Sequence, residues 1–430
     1  MNSLRDFVET LRSDKKLVAI NKEVSKNLEL AGVLLAFDGR PVMFNKVAHS
    51  KIPVVGNIFS TRQLVCDYLG IMRNELVPRL IDAMNNPVKP ELVESGPVLE
   101  VEGGVNLERL PIPFHAEMDG GPYLSSAIVI AHDKELGRNL SFHRMMVIGK
   151  DRLSMRILPR HLSKFLERAG GTLDVAVIVG APINVLLSAA ISSREGQDEL
   201  EYASAISPVK TVRLSNGIEV PADVEFAFEG RITPEMADEG PFIDLTGTYD
   251  IVRKQPVMHL TKMYHRKNPI WHALLPGGLE HKVLMGMPRE PTIFTEVDKV
   301  AECRAVNLTP GGCSWLHAVV SIKKNSEEDG KLAIEAAFRG HKSLKHVVIV
   351  DDDIDIDDPL DVEWAIATRF QAKQDLIVKE DEKGSSLDPS ADQNTRATSK
   401  MGLDATKPVN ANPEHFDKAE WKKVKAEDYL

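Results

Sequence analysis

The stretch from Ser125 to about Met287 constrains this chain most, because strand-like segments dominate it while helix and strand alternate on either side. SAIVIAHD, NLSFHRMMVIGKDRLSMRIL, TVRLSNGIEV and DVEFAFEG carry turn signals at GKDR and SNG, as a β-barrel or meander would. Helices interrupt it locally: PRHLSKFLERAGG gathers Leu162, Phe165, Leu166 and Ala169 on one face, with Gly170 placed to end it. A chain of 430 residues also exceeds what one core normally serves, so domains are expected on both sides.

The first hundred residues predict a small α/β unit. Its helices start near Leu4 and in TRQLVCDYLGIM, and its strands are LVAINKEV, RPVMFNKV and KIPVVGNI. Two prolines in LERLPIPF mark a boundary near Leu107. The last third returns to α/β, with strands AVVSIKK, HVVIVDD and DLIVKE separated by helices GKLAIEAAFRG and DPLDVEWAIATRF. That order implies parallel pairing, and Asp358 followed by Pro359 forms an N-cap and first-turn pair. Residues Lys383 to Lys407 read as a long surface loop, followed by a terminal helix from Pro413. The expected architecture is α+β and multidomain, divided as residues 1–106, 107–295 and 296–430.

Composition narrows the class. Hydrophobic residues make up 43% and charged residues 27%, ordinary for a globular protein. Net charge is −10 with acids and bases interleaved, so no nucleic-acid partner is expected. Cys66, Cys303 and Cys313 have no Cys-x-x-Cys spacing and fit a reducing cytoplasm. The N-terminus is an amphipathic helix rather than a signal peptide, since Leu4, Phe7, Val8 and Leu11 recur at helical spacing among charges. The longest apolar stretch, Val175 to Ile191, is broken by Gly180, Pro182 and Asn184 into a strand, a turn and a short helix, so no membrane span is expected.

Six polar residues carry the chemistry: Asn139, Arg144 and His161, then Glu229, Glu239 and Asp244. An amide oxygen, an imidazole and a carboxylate without thiolates suit Mn²⁺ or Mg²⁺ better than structural zinc. An arginine near two carboxylates can keep one ionised while the other exchanges a proton. Each residue alone has a plainer explanation: Asn139 as a turn residue, His161 as a helix-start histidine, Glu229 as a solvated strand residue opposite Val224, Phe226 and Phe228. Asn139 and Arg144 are five apart, so a bulge or strand end must separate them if both serve one site. Asp351 and Asp353 end a strand as in phosphohydrolases, or simply cap the next helix. PGGCSW and LLPGGLEH are glycine turns able to approach a ligand.

At NLSFHRMMVIGKDRLSMRIL with the following His161, DVEFAFEG, EGPFIDLTG, VIVDDDIDIDDPLDVEWAIATR and SKMGLDAT, the chain resembles the UbiD-type decarboxylases over nearly its whole length. The resemblance implies an N-terminal α/β domain, a central flavin-reductase-like split β-barrel and a C-terminal α/β domain with a dimerising tail. It implies prenylated FMN supplied by a flavin prenyltransferase, with Mn²⁺ and K⁺ at the cofactor phosphate. Asn139, His161 and Glu229 would be the metal ligands, and Arg144, Glu239 and Asp244 the catalytic set, Asp244 donating the proton. Ser141, Phe142, His143, Arg144 and Lys400 would border the cofactor. The implied substrate is an unsaturated carboxylic acid. Archaeal members take trans-anhydromevalonate phosphate to isopentenyl phosphate; a prenylated 4-hydroxybenzoate is the alternative. His143, Arg156, Arg160, Lys262, His265 and Arg266 are candidates for a substrate phosphate. A homo-oligomer, dimer or hexamer, is expected. A non-catalytic flavin carrier is the alternative outside enzymes.

Overall fold

The computed structural model describes residues 1, 3–419, 421, 422 and 424–429. Two compact units divide them: Met1–Pro291 with Pro310–Trp315 and Leu387–Pro389, and Thr292–Thr309 with Leu316–Ser386 and Ser390–Leu430. The fold is mixed α and β throughout.

The first unit opens with the expected helix, Leu4–Ser13, where Ser3 and Asp6 form a reciprocal capping box. Its apolar stripe, Leu4, Phe7, Val8 and Leu11, is buried. Strands Val18–Ile20, Val42–Phe44 and Val54–Gly56 form a four-stranded sheet whose last member, Trp271–His272, arrives from far along the chain.

Nine strands form the second sheet: β1 Val101–Gly103, β2 Tyr123–Leu124, β3 Ile128–Asp133, β4 Gly137–Phe142, β5 Met145–Val147, β6 Arg152–Met155, β7 Leu173–Val179, β8 Phe226–Glu239 and β9 Arg253–His265. Their order is β2-β5-β6-β9-β8-β7-β3-β4, with β1 also pairing β9. The expected split of the long apolar stretch holds, since β7 is followed by helix Ile183–Ala190. Alternation in β8 sends Phe226, Phe228 and Ile232 into one core and Ala227 into another. Both faces are therefore buried, so the plainer reading of Glu229 as a solvated strand residue does not hold. Glu225 is fully buried and paired with Arg5 at 2.7 Å. Helices α1 His161–Arg168, α2 Ile183–Ala190 and α3 Glu199–Ile206 pack on the β3–β4 end of the sheet, and α4 Leu279–Gly286 packs on α2.

The second unit holds β10 Glu302–Leu308, β11 His317–Lys323, β12 His346–Asp351, β13 Leu376–Lys383 and β14 Ala397–Ala405, in the order β10-β11-β12-β14-β13. Strands β11, β12 and β14 run parallel, while β13 is antiparallel to β14 and does not neighbour β12. Helices α5 Asp329–Gly340 and α6 Pro359–Arg369 complete it. Asp358 caps α6 as expected, its side chain accepting from the Leu360 N–H. Part of the segment read as a loop is β14. Its buried alternate positions are Lys400, Gly402 and Asp404, so no apolar alternation announced it. Gly402 is required because Ile334 lies 2.2 Å from where a Cβ would stand. The expected terminal helix is a single turn, Pro413–Phe416. Parts of that tail, residues 420, 423 and 430, lie outside the described residues.

Candidate active site

Strand β4 ends at Phe142 and β5 begins at Met145, so His143 and Arg144 occupy the strand end that the five-residue spacing required. Arg144 is the hub of a carboxylate cluster. Its Nε and Nη2 donate to the two Glu239 oxygens at 2.9 Å each, Nη1 donates to Asp244 at 2.9 Å, and Nη2 donates also to Asp250 at 2.8 Å. Four of the guanidinium's five N–H bonds are thus directed at carboxylates, and one on Nη1 remains for a ligand. The group lies over the Phe242 ring at 4.9 Å.

Burial works against the Arg144 charge, but the Glu239 bond and the charges of Glu239, Asp244 and Asp250 outweigh it and hold the pKa above the ordinary arginine value. Glu239, at the end of β8, is fully buried, and Tyr123 donates a third bond to it at 3.0 Å. The Gly240 N–H in turn donates to the Tyr123 oxygen at 3.0 Å. Burial first, then the Glu239 charge, raises the Tyr123 phenol, so it stays protonated as a donor. Gly240 has φ +99°, and a Cβ there would meet the Ile251 carbonyl at 2.9 Å, so the turn needs glycine.

Asp244 is more accessible, with its side chain 22% exposed. Its Oδ1 accepts the Leu245 N–H at 2.7 Å while Oδ2 holds Arg144. The turn before α4 packs against it: a Cβ on Gly277 would stand 3.2 Å from the Asp244 carbonyl, and φ there is +69°. The Gly277 N–H donates to His281 Nδ1 at 3.1 Å, which puts the neutral ring's proton on Nε2. Burial lowers the His281 pKa, opposed by the Asp244 charge. The structure therefore brings together three of the expected residues, Arg144, Glu239 and Asp244. It adds Asp250, Tyr123 and His281, which no motif had marked.

The expected metal ligands fare differently. Asn139 on β4 donates from Nδ2 to Glu199 at 3.3 Å and accepts from Ser141 at 3.1 Å. Ser141 also meets His143 Nε2 at 3.0 Å, and His143 Nδ1 meets the Arg156 carbonyl at 2.9 Å. Burial pushes His143 down to about 4, so it is neutral at physiological pH. Phe142 packs half-buried against the sheet's core. His161 opens α1, which packs on β3 and β4, and Lys164 of the same helix pairs with Glu195.

Glu229 does not join Asn139, which corrects the expected ligand set. Residues Asn139, Ala131, Val175 and Gly230 form one cross-strand row, and Glu229 stands in the next row, pointing to the other face. Three strand spacings, about 14 Å, separate them. The Glu229 Oε1 accepts instead from Ser215, the Asn216 N–H and Tyr264 at 2.7, 3.1 and 3.0 Å. The carboxylate beside Asn139 is Glu199, at the start of α3, 1% exposed and bound also to the Leu140 N–H at 2.8 Å and to Ser193. Burial pushes it up to about 7 against those bonds. A buried carboxylate next to an amide oxygen offers donors of the kind a hard divalent cation takes, although among the described residues no cluster of three or more His, Cys, Asp or Glu side chains is assembled there. In sequence Glu199 is one of three acids in QDELEY, and such runs are normally solvated.

Lys400 lies in the second unit, donating to the Lys342 carbonyl at 2.8 Å and stacked 5.3 Å from Phe338. Asp351 and Asp353 there are bound by Arg369 at 2.7–2.9 Å and by Lys407. A pair so neutralised is a structural clamp, not an open phosphohydrolase centre.

The hub sets a fully buried, held carboxylate, Glu239, beside a more accessible one, Asp244, an arrangement suited to acid–base chemistry. Three family models cover the chain in succession: the 3-octaprenyl-4-hydroxybenzoate carboxy-lyase N-terminal domain over residues 8–84, its Rift-related domain over 91–279 and its C-terminal domain over 282–405. This chain belongs to the UbiD family of carboxy-lyases. It is 44% identical to the anhydromevalonate phosphate decarboxylase of Methanocaldococcus jannaschii, covering 92% of this chain and 96% of that one. The enzyme of the same name from Methanosarcina mazei is also 44% identical, with 96% and 98% covered. The UbiD-class enzyme HmfF from Pelotomaculum thermopropionicum, solved with FMN, superimposes with a TM-score of 0.95 at 38% identity over both whole chains; an evolved dimeric form was solved with prenylated FMN. Among the described residues no helix is long and apolar enough to cross a membrane.

Proposed function

We propose that this protein is a prenylated-FMN-dependent decarboxylase that converts trans-anhydromevalonate 5-phosphate to isopentenyl phosphate and CO₂. The observation that carries the chemistry is the Arg144 hub, with one carboxylate fully buried and another partly accessible. The substrate assignment is supported by the two archaeal relatives above, matched over nearly their full lengths. The likeness to HmfF supports the cofactor.

Within the site, the remaining Arg144 N–H orients the substrate carboxylate, and Glu239 and Tyr123 fix the guanidinium in place. Bound prenylated FMN supplies the electron sink for loss of CO₂. Asp244, as the accessible acid, delivers a proton to the carbon left by CO₂, and Phe242 walls the hub from water. Asn139, His161 and Glu199 would hold Mn²⁺ or Mg²⁺, which with K⁺ would neutralise the cofactor's anionic end, and Ser141, Phe142 and His143 would line that end. The protein works in the cytoplasm as a homo-oligomer and receives its cofactor from a flavin prenyltransferase.

The test is product formation by protein co-expressed with a flavin prenyltransferase and purified without oxygen. Isopentenyl phosphate from trans-anhydromevalonate phosphate supports the assignment. Turnover of aromatic acids alone by the same preparation replaces it with the 3-polyprenyl-4-hydroxybenzoate type of substrate.

A further inference from the structure

Arg156 stands beside the hub without a counter-ion. Strands β5 and β6 pair Met146 with Ser154 and Met145 with Met155, and the next pair along is Arg144 with Arg156, whose N–H donates to the Arg144 carbonyl at 3.2 Å. Cross-strand partners share a face, so both arginine side chains stand on the side of Met146, which packs with Tyr123 and Phe242 at the hub. The carboxylates there are already held: Glu239 by Arg144 and Tyr123, Asp244 by Arg144, and Asp250 by Arg144 and Arg253. Arg156 is half-buried, and no described residue hydrogen-bonds or ion-pairs with its guanidinium. Burial first, and then the charges of Arg253 and Arg144, lower its pKa. A half-buried cation opposite another cation is unfavourable, and a bound anion removes that cost.

We propose that Arg156 binds the phosphate monoester of the substrate, on the hub face beside the carboxylate that Arg144 orients. The inference rests on the proposed decarboxylase function and specifies how that site selects its acid. Arg144 leans to its carboxylates and Arg156 pairs with none of them, so the two guanidiniums diverge. The Cβ atoms of such a cross-strand pair stand about 4.5–5.5 Å apart. In the extended substrate, six bonds, roughly 7–8 Å, separate the carboxyl carbon from phosphorus, a length that two diverging arginines bracket. The other basic candidates are engaged: both His143 ring nitrogens are bonded, Lys262 pairs with Glu102 at 3.1 Å, and Arg266 lies 3.9 Å from the buried Glu225. An aromatic monocarboxylic acid has no second anion to place at Arg156.

The test uses the full chain loaded with cofactor, so that the flavin's own phosphate site is filled. Isopentenyl phosphate, which has no carboxylate, is titrated calorimetrically into the native protein and the Arg156→Gln and Arg156→Lys variants, with 3-methylbut-3-en-1-ol as the uncharged counterpart. Arg156→Gln should weaken the phosphate roughly 10- to 150-fold, the loss of one hydrogen bond to a charged group, and lysine should restore part of it. Flavin content and alcohol binding should not change. Because the guanidinium has no partner among the described residues, Arg156→Gln should melt no lower than the native protein, as a purely structural arginine would not allow. Phosphate affinity absent from the native protein, or unchanged in Arg156→Gln, overturns the inference. An equal loss for the alcohol, or loss of flavin with the phosphate, also overturns it, because Arg156 would then shape the site or hold the cofactor. The titration needs no turnover. Arg156-dependent phosphate binding in a protein that cannot decarboxylate trans-anhydromevalonate phosphate would refute the proposed reaction and leave the subsite standing.

Discussion

Arg144→Met removes the centre of the carboxylate cluster while keeping an unbranched side chain of similar reach. Two bonds to Glu239 and one each to Asp244 and Asp250 are lost. Glu239 is fully buried and the Arg144 side chain 10% exposed, so the substitution strands a buried carboxylate; breaking such a pair costs about 3–5 kcal/mol. Asp244 and Asp250, each 22% exposed, can turn to water, and their bonds add about 0–1 kcal/mol apiece. The total is about 3–7 kcal/mol, and at ~2–4 °C per kcal/mol for a domain of this size the melting temperature should fall by roughly 6–28 °C. Adding Glu239→Leu should recover most of the loss, because the stranded charge is then gone. Calorimetric melting of the native protein and the single and double variants at pH 7.5 measures both. A single variant within about 1 kcal/mol of the native protein, or a double variant no more stable than the single, would refute the reasoning.

Glu199→Gln should weaken divalent-metal and flavin retention together by more than about tenfold, whereas Glu229→Gln, three strands away, should leave both in place; metal and flavin content per chain decide between them. Glu199 is pushed up to about 7, so it carries a proton below that pH and must release it to bind a metal. Apparent Mn²⁺ affinity should therefore fall about tenfold per pH unit below 7 and level off above it; a flat titration would exclude Glu199 as a ligand. Asp244→Asn should keep cofactor and stability but lose turnover by at least ~10²-fold. Arg369→Met should destabilise the second unit by freeing Asp351 and Asp353, visible as a lower-temperature melting transition.

How far the sequence reaches depends on which faces are buried. The first helix, the Asp358 cap and the placement of Phe226 and Phe228 were legible because an apolar stripe or a capping residue marks each. Glu229 taken alone looked solvated because the opposite face of β8 is covered too, and acids bound inside a sheet look the same in sequence as acids in water. β14 escaped because its inward positions are Lys400, Gly402 and Asp404, each held by a specific neighbour rather than by apolar burial. The antiparallel β13 followed from that omission, since its partner was read as loop. Arg144, Glu239 and Asp244 were legible through family motifs. Asp250 and His281 reach the hub through pairing and packing that the sequence does not display. Glu199 belongs with Asn139 by a fold-level juxtaposition sixty residues apart, which no local spacing encodes.

In the proposed reaction Asp244 protonates the carbon from which CO₂ departs, at a hub held by Arg144. The direct measurement is decarboxylation of trans-anhydromevalonate phosphate in deuterium oxide by cofactor-loaded native and Asp244→Asn protein. One deuterium in the isopentenyl phosphate formed by the native protein, with no product from the variant at equal flavin content, is the predicted result. Equal product from the variant, or none from native protein verified to carry prenylated FMN, would contradict it.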